Sequence, residues 1–424
     1  GLDYFTLGNH DFNFGYEALR DYLRAMEGTC LCANVEDLGG ELPICPWTVH
    51  TLSNGLRIGL TGVVTDFVNI WEQPQNLERL RITDAFQAAQ AACAALRGQC
   101  DVLVCIYHGG FEEDLESGRV LSDSGENIAC RLARELDFDL LLTGHQHMAV
   151  AGVELSGTYA VQPPANAGQF LHLTGRWDGQ ESRFSSRLRP VGGQHPEEPF
   201  RTLLPLERAA QKWLDQPIGA LAQAIPPEGK LEAALRGSQV AALFNQVQLE
   251  ETGADFSCTS LGNDPVGLTS PVTMRGVTAA YLFANTLVVL EVTEEVLRQT
   301  LERCAAYFTL VDGQPQISEE FLLPKVEHYN YDFYAGLSYT FDLRRPVGSR
   351  VVRLTKLDGS PLGDGTFRLC TSNYRATGTG GYEILRECPV LWRGGIEMPD
   401  LTARYIRTHS PVPPLHNGEM QVVW

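Results

Sequence analysis

The chain has 424 residues, 44% of them hydrophobic, with 33 Lys and Arg against 52 Asp and Glu, a formal charge of -19. That length is too great for one ordinary core and fits two. The acidic balance, with no visible basic stripe, argues against a nucleic-acid polymer as partner, and no apolar run approaches the ~20 residues of a membrane span. A small anionic ligand would need locally positive ground, which bound metal ions supply.

In chain order, the first part alternates strands and helices. Tyr4 to Leu7 reads as a short apolar strand running into the loop Gly8-Asn9-His10-Asp11. Leu19, Tyr22, Leu23 and Met26 recur at helical spacing, so Tyr16 to Met26 is predicted as a helix burying that face. Leu56 to Val63 reads as a core strand, Ala85 to Leu96 as an Ala-rich helix and Asp101 to Tyr107 as the next strand. A helix near Glu126 to Glu135 leads into a strand from Phe138 to Thr143, and short strands follow through about Leu188, as for a second packed sheet.

Gly192 to Pro199 is turn-rich and acidic, and Leu204 to Leu214 reads as a helix, so residues 192–215 form a linker between residues 1–191 and 216–424. The second part has predicted helices near Ser238 to Glu250, Arg275 to Phe283 and Glu294 to Tyr307. Its predicted strands lie near Asp255 to Thr259, Leu287 to Val292, Leu337 to Leu343, Arg350 to Leu354 and Phe367 to Ser372.

Chemistry concentrates where three apolar strands of the first part end. Asn9 and His10 follow the first, His108 follows Val102 to Tyr107, and His145 and His147 follow Leu140 to Thr143. Parallel α/β sheets place their sites at such carboxyl edges. An Asn carboxamide oxygen and imidazole nitrogens collected from separate strand ends are suitable ligands for a borderline divalent metal such as zinc, manganese or iron. Read singly, His108 is an ordinary core histidine and each Gly-His pair a tight turn; it is the conjunction of the three places that points to metal.

These residues resemble a known family. Gly8-Asn9-His10-Asp11, His108 and Gly144-His145-Gln146-His147 look like the later motifs of the calcineurin-like metallophosphoesterases. Gly8 to Leu23 followed by Cys32-Ala33-Asn34-Val35 resembles, more narrowly, the bacterial 5′-nucleotidase and 2′,3′-cyclic-nucleotide 2′-phosphodiesterase family. Tyr281 to Thr286 and Asn373 to Gly381 resemble the family's two aromatic loops, between which a nucleobase stacks. Aromatic faces suit any base.

The resemblance implies an α/β protein: a four-layer-type metallophosphoesterase sandwich, a linker helix and a second α/β nucleotide-recognition domain. It implies two divalent metal ions in the family, of Zn, Mn, Fe or Co type, with Asn9, His108 and His145 on one and His147 on the other. It implies further that His10 contacts the phosphate or leaving oxygen, and that Phe283, Asn373 and Tyr374 hold the nucleotide. The expected activity is hydrolysis of 2′,3′-cyclic nucleotides or nucleoside monophosphates by metal-activated water. The competing reading is a nucleotide-binding or scaffold protein whose metal chemistry is lost.

This sequence departs from the family pattern at three places. The opening Asp-x-His and Gly-Asp motifs have no counterpart, which predicts a first domain missing its opening strands, one ion or none in place of a pair, and a second copy or a separate fragment covering the gap. Asn13 stands where strict 5′-nucleotidases carry Asp, and Ser260 to Pro265 replaces an Arg-ended phosphate loop; both favour the cyclic-nucleotide branch. Eleven cysteines without a CxxC pair fit core thiols of a reducing compartment, whereas the resemblance implies relatives that are often exported.

Overall fold

The structure is a computed structural model that describes residues 2–193, 197–323, 325–416 and 418–424. The chain divides into two compact units, Gly1–Gln194 and His195–Trp424.

In the first unit a six-stranded sheet runs in the order Val150–Leu155, Thr158–Gln162, Leu140–Thr143, Val102–His108, Arg57–Val64, Trp47–Thr51. The inner four strands are parallel and the two edges antiparallel. Val102, Leu103, Val104 and Cys105 are all buried, as expected of a parallel strand covered on both faces. Phe86, Ala89 and Cys93 of helix Ala85–Leu96 and Leu132 of helix Ala129–Glu135 pack on one face. On the other, Val102, Val104 and Leu140 meet Leu173, Trp177 and Phe184 of the hairpin Gln169–Trp177 and Ser182–Pro190.

A smaller parallel sheet of Tyr4–Phe5, Thr29–Leu31 and Ile44–Cys45 carries helix Gly15–Ala25. Tyr16, Leu19 and Leu23 form its buried stripe. Tyr22, predicted on that face, is 42% exposed. Tyr16 fills the inward position instead, and Tyr22 lies outside the stripe with its ring edge-on to Phe5 at 6.5 Å.

The second unit is built on a five-stranded mixed sheet, Asp332–Ala335, Phe256–Ser260, Phe367–Ser372, Thr286–Val292, Val390–Glu397. Helices Gln239–Thr252, Glu294–Ala305 and Met398–Thr408 contribute Phe244, Leu301 and Ile406 to its core. The helix predicted to reach Phe283 stops at Ala280. Tyr281 turns extended because its ring is buried edge-on against Phe244 at 5.0 Å, and Phe283 is left on the following loop. The linker helix spans Glu197–Leu214, longer than predicted and with Pro205 inside it. Gln194 to Pro196 of the predicted linker lie outside the described residues. Among those described, no helix is long and apolar enough to cross a membrane, and all eleven cysteines are free thiols.

Candidate metal centre and nucleotide loops

Asn9 and His10 open a short 3-10 turn, Asn9–Phe12, whose geometry Asp11 fixes: its carboxylate accepts from Gly8 N at 2.7 Å. Gly8 itself must be glycine, since a Cβ there would come within 2.9 Å of the His108 ring. That close approach brings Asn9 Oδ1 to 2.9 Å from His108 Nε2, at the carboxyl end of strand Val102–His108. Burial first, then the neighbouring His145, His10 and His147, pushes His108 down to about 3, so the imidazole stays neutral at any ordinary pH.

His145 and His147 both occupy left-handed backbone, at φ 68° and 61°. Gln146 between them is buried and bonds both ends of Phe111, accepting from its N–H at 2.7 Å and donating to its carbonyl at 2.8 Å. Gly110 makes room for that carboxamide, because a Cβ there would sit 2.1 Å from it. The clamp brings the His145 ring 5.5 Å from that of His108, with Trp71 stacked on it at 5.4 Å.

His145 Nε2 lies 2.9 Å from Glu126 Oε1. A carboxylate only accepts, so Nε2–H donates and Nδ1 is the nitrogen left for a cation. Glu126 is held in turn through its backbone carbonyl, which accepts from Thr65 Oγ1 at 2.8 Å. A cavity of about 410 Å³ opens beside His108 and Gly144, lined mainly by Leu140, Leu142, Leu171 and Leu173.

The donors suit a divalent ion. The 2.9 Å between Asn9 Oδ1 and His108 Nε2 is close to the roughly 3 Å that separates two adjacent ligands of one ion with ~2.1 Å bonds. Among the described residues, however, no three His, Cys, Asp or Glu side chains already converge on one point. His10 Nδ1 lies 2.9 Å from Asn13 Oδ1, and both His10 and His147 are near enough to act on His108 electrostatically.

In the second unit, Ser372 caps a single helical turn, Asn373–Ala376, through Arg375 N at 3.1 Å, so Asn373 and Tyr374 share one rigid turn. Asn373 Oδ1 accepts from Thr286 N at 3.1 Å, which ties the turn to the strand after the Phe283 loop. Phe283 stands edge-on to Tyr281 at 6.4 Å and to Tyr329 at 6.0 Å.

Arg375, 2% exposed, locks this region. Its guanidinium binds Asp332 through Nε and Nη2 at 2.8 and 3.0 Å, the Tyr329 carbonyl at 2.8 Å and the Thr379 carbonyl at 2.7 Å. Gly380 permits the fit, since a Cβ would meet Asn330 at 2.2 Å. Sequence reasoning missed Glu126, Gln146, Tyr329 and the Asp332–Arg375 pair. Only Arg375, inside the Asn373 to Gly381 loop, and Gln146, inside Gly144 to His147, lay within a motif.

The family described as Calcineurin-like phosphoesterase matches residues 2–149, and that described as 5′-nucleotidase, C-terminal domain, matches residues 217–387. A Haemophilus influenzae 2′,3′-cyclic-nucleotide 2′-phosphodiesterase/3′-nucleotidase is 26% identical, over 96% of this chain and 71% of the relative. The trifunctional nucleotide phosphoesterase protein YfkN of Bacillus subtilis is 22% identical, over 96% of this chain and 32% of the relative. A solved Staphylococcus aureus protein assigned as a 5′-nucleotidase, in complex with alpha-ketoglutarate, superposes with a TM-score of 0.91 at 30% identity, covering 100% of this chain and 83% of that one. With both domain families matched in tandem and that degree of likeness over its whole length, the chain belongs to the 5′-nucleotidase and 2′,3′-cyclic-nucleotide 2′-phosphodiesterase family of metal-dependent nucleotide phosphoester hydrolases.

Proposed function

We propose that this chain hydrolyses 2′,3′-cyclic nucleotides and nucleoside monophosphates, with residues 1–191 as the metallophosphoesterase domain, 192–215 as linker and 216–424 as the nucleotide-recognition domain. In this reading Asn9, His108 and His145 hold one divalent cation and His147 serves a second. The mixed oxygen and nitrogen donors suit zinc, manganese, iron or cobalt. The observation that carries the reading is the Asn9–His108 contact at 2.9 Å beside a His145 whose Nε2 is already engaged.

A cation at these donors supplies Lewis acidity toward phosphate oxygens and lowers the pKa of bound water. Glu126 fixes the ring of His145, the Gln146 clamp fixes the loop that carries it, and His10 faces the departing oxygen. Phe283 and Tyr374 stack the base, and Asn373 holds their two loops in register. The names of the Haemophilus influenzae and Bacillus subtilis relatives support this choice of substrate class, as does Asn in place of Asp at position 13. We also propose that a second copy or a separate fragment covers the apolar cavity beside Leu140 and Leu171; a monomer with no bound fragment by light scattering refutes that part.

Elemental analysis of the wild-type chain and His145→Ala after loading and desalting tests the ligand assignment. The variant is expected to lose metal while binding adenosine normally, since a nucleoside offers no phosphate to the cation. Equal metal content in the two proteins refutes it.

A further inference from the structure

His10 is exposed on its turn, yet its ring is tied by a chain of hydrogen bonds that runs through Asn13 to Glu72. Asn13 Oδ1 lies 2.9 Å from His10 Nδ1, and Asn13 Nδ2 donates to Glu72 Oε2 at 2.7 Å. The other oxygen of Glu72 accepts from Gln73 N at 2.8 Å and Asn76 Nδ2 at 2.8 Å. Asn76 Nδ2 also reaches the Asn13 carbonyl at 3.0 Å. Gly15, at φ 79°, lets Asn76 come this near, since a Cβ there would stand 3.3 Å from its side-chain oxygen.

The polarity of this chain has one solution. A carboxylate has no proton to give, so the end of Asn13 that faces Glu72 must be its NH₂. The end that faces His10 is then the carbonyl oxygen, which also only accepts. Nδ1 of His10 must therefore carry a hydrogen.

We propose that Glu72, acting through Asn13, is a positioning residue that holds His10 as the Nδ1–H tautomer and leaves Nε2 as the atom where its working proton resides. This rests on the reading of His10 as the group facing the phosphate ester. Nε2 is the ring atom from which a proton would pass to the leaving oxygen as the P–O bond breaks, and the hydrogen bond from Nδ1–H to Asn13 stays intact as it does. A carboxylate at position 13 would set the same tautomer directly; the amide does so only because a second carboxylate stands behind it.

The test is the tautomer itself, read from long-range proton–nitrogen correlations of the chain labelled with ¹⁵N-histidine, at a pH where the imidazoles are neutral and with His10 assigned by loss of its signals in His10→Gln. The wild-type protein is expected to show Nδ1–H at His10. Glu72→Gln can present either an oxygen or an NH₂ to Asn13, so the exclusive Nδ1–H form should be lost to a mixture with Nε2–H. Adding Asn13→Asp to that variant should restore it. An Nε2–H tautomer in the wild-type chain overturns the proposal, and so does a folded Glu72→Gln variant with an unchanged tautomer. If Glu72→Gln fails to fold, the wild-type spectrum still decides. Steady-state hydrolysis of 2′,3′-cyclic AMP by His10→Gln separates the two ideas: unchanged turnover sinks the phosphate-facing role and leaves the tautomer assignment standing.

Discussion

Replacing Asp332 with Ala should unfold the second unit far more readily than replacing Asp215, although each aspartate pairs with an arginine. The side chains of Asp332 and Arg375 are 2% and 3% exposed, whereas those of Asp215 and Arg275 are 63% and 44% exposed. Asp332→Ala leaves a guanidinium buried with carbonyl partners only, which costs about 3–5 kcal/mol. Asp215→Ala gives up a solvated pair worth about 0–1 kcal/mol. For a unit of this size each kcal/mol moves the melting temperature by about 2–4 °C, so the expected drops are roughly 6–20 °C and at most about 4 °C.

Differential scanning calorimetry of the two variants measures this directly. The double variant Asp332→Leu/Arg375→Met should recover only part of the loss. It removes the stranded charge but leaves the Tyr329 and Thr379 carbonyls without their donor, at about 1–3 kcal/mol for each unsatisfied group. Equal effects of the two single aspartate variants would refute the reasoning.

Three further outcomes follow from the geometry. Gly110→Ala forces the Gln146 carboxamide away from a Cβ that would sit 2.1 Å from it, so it should cost about 1–3 kcal/mol and reduce retained metal; a variant with wild-type melting temperature and metal content contradicts the clamp. Acid should destabilise the metal-free first unit. His108 is held at about 3 in the folded chain against an ordinary value of about 6.5, so the unfolded chain takes the proton first as pH falls, and stability present above about 6.5 is lost on the way down to 3. The loss between pH 7 and 5 should be about 2 kcal/mol in urea titrations and should vanish in His108→Asn. Tyr374→Ala should weaken adenosine binding by about 1–3 kcal/mol in calorimetry with metal content unchanged; unaltered affinity refutes the stacking assignment.

The elements that could be read from the sequence were those whose environment is written locally. Ala85–Leu96 and Phe367–Ser372 form over the predicted residues, because a small-residue helix and a buried apolar strand each leave a continuous pattern. Val390–Glu397 was not visible: two glycines interrupt it, and it lies at the edge of its sheet, with most of its residues exposed. Helix Met398–Thr408 follows with no loop between to announce it. The same division holds for the site. Asn9, His10, His145 and His147 sit in short loops whose composition is distinctive, and His108 ends a strand just before two glycines. Their supports come from elsewhere: Glu72 lies 59 positions from Asn13, Glu126 19 from His145, Phe111 35 from Gln146 and Asp332 43 from Arg375. A lone Glu or Asp in a linear sequence carries no mark of the partner that folding brings to it.

The most direct test of the central claim is ³¹P NMR of 2′,3′-cyclic AMP incubated with the purified chain and each of Zn²⁺, Mn²⁺ and Co²⁺ in turn. The expected result is conversion of the cyclic diester signal to a monoester with at least one of these ions, abolished by a chelator and by His145→Ala. Absence of conversion with every ion, or conversion that survives both the chelator and the His145 substitution, would contradict metal-dependent phosphoester hydrolysis at these loops.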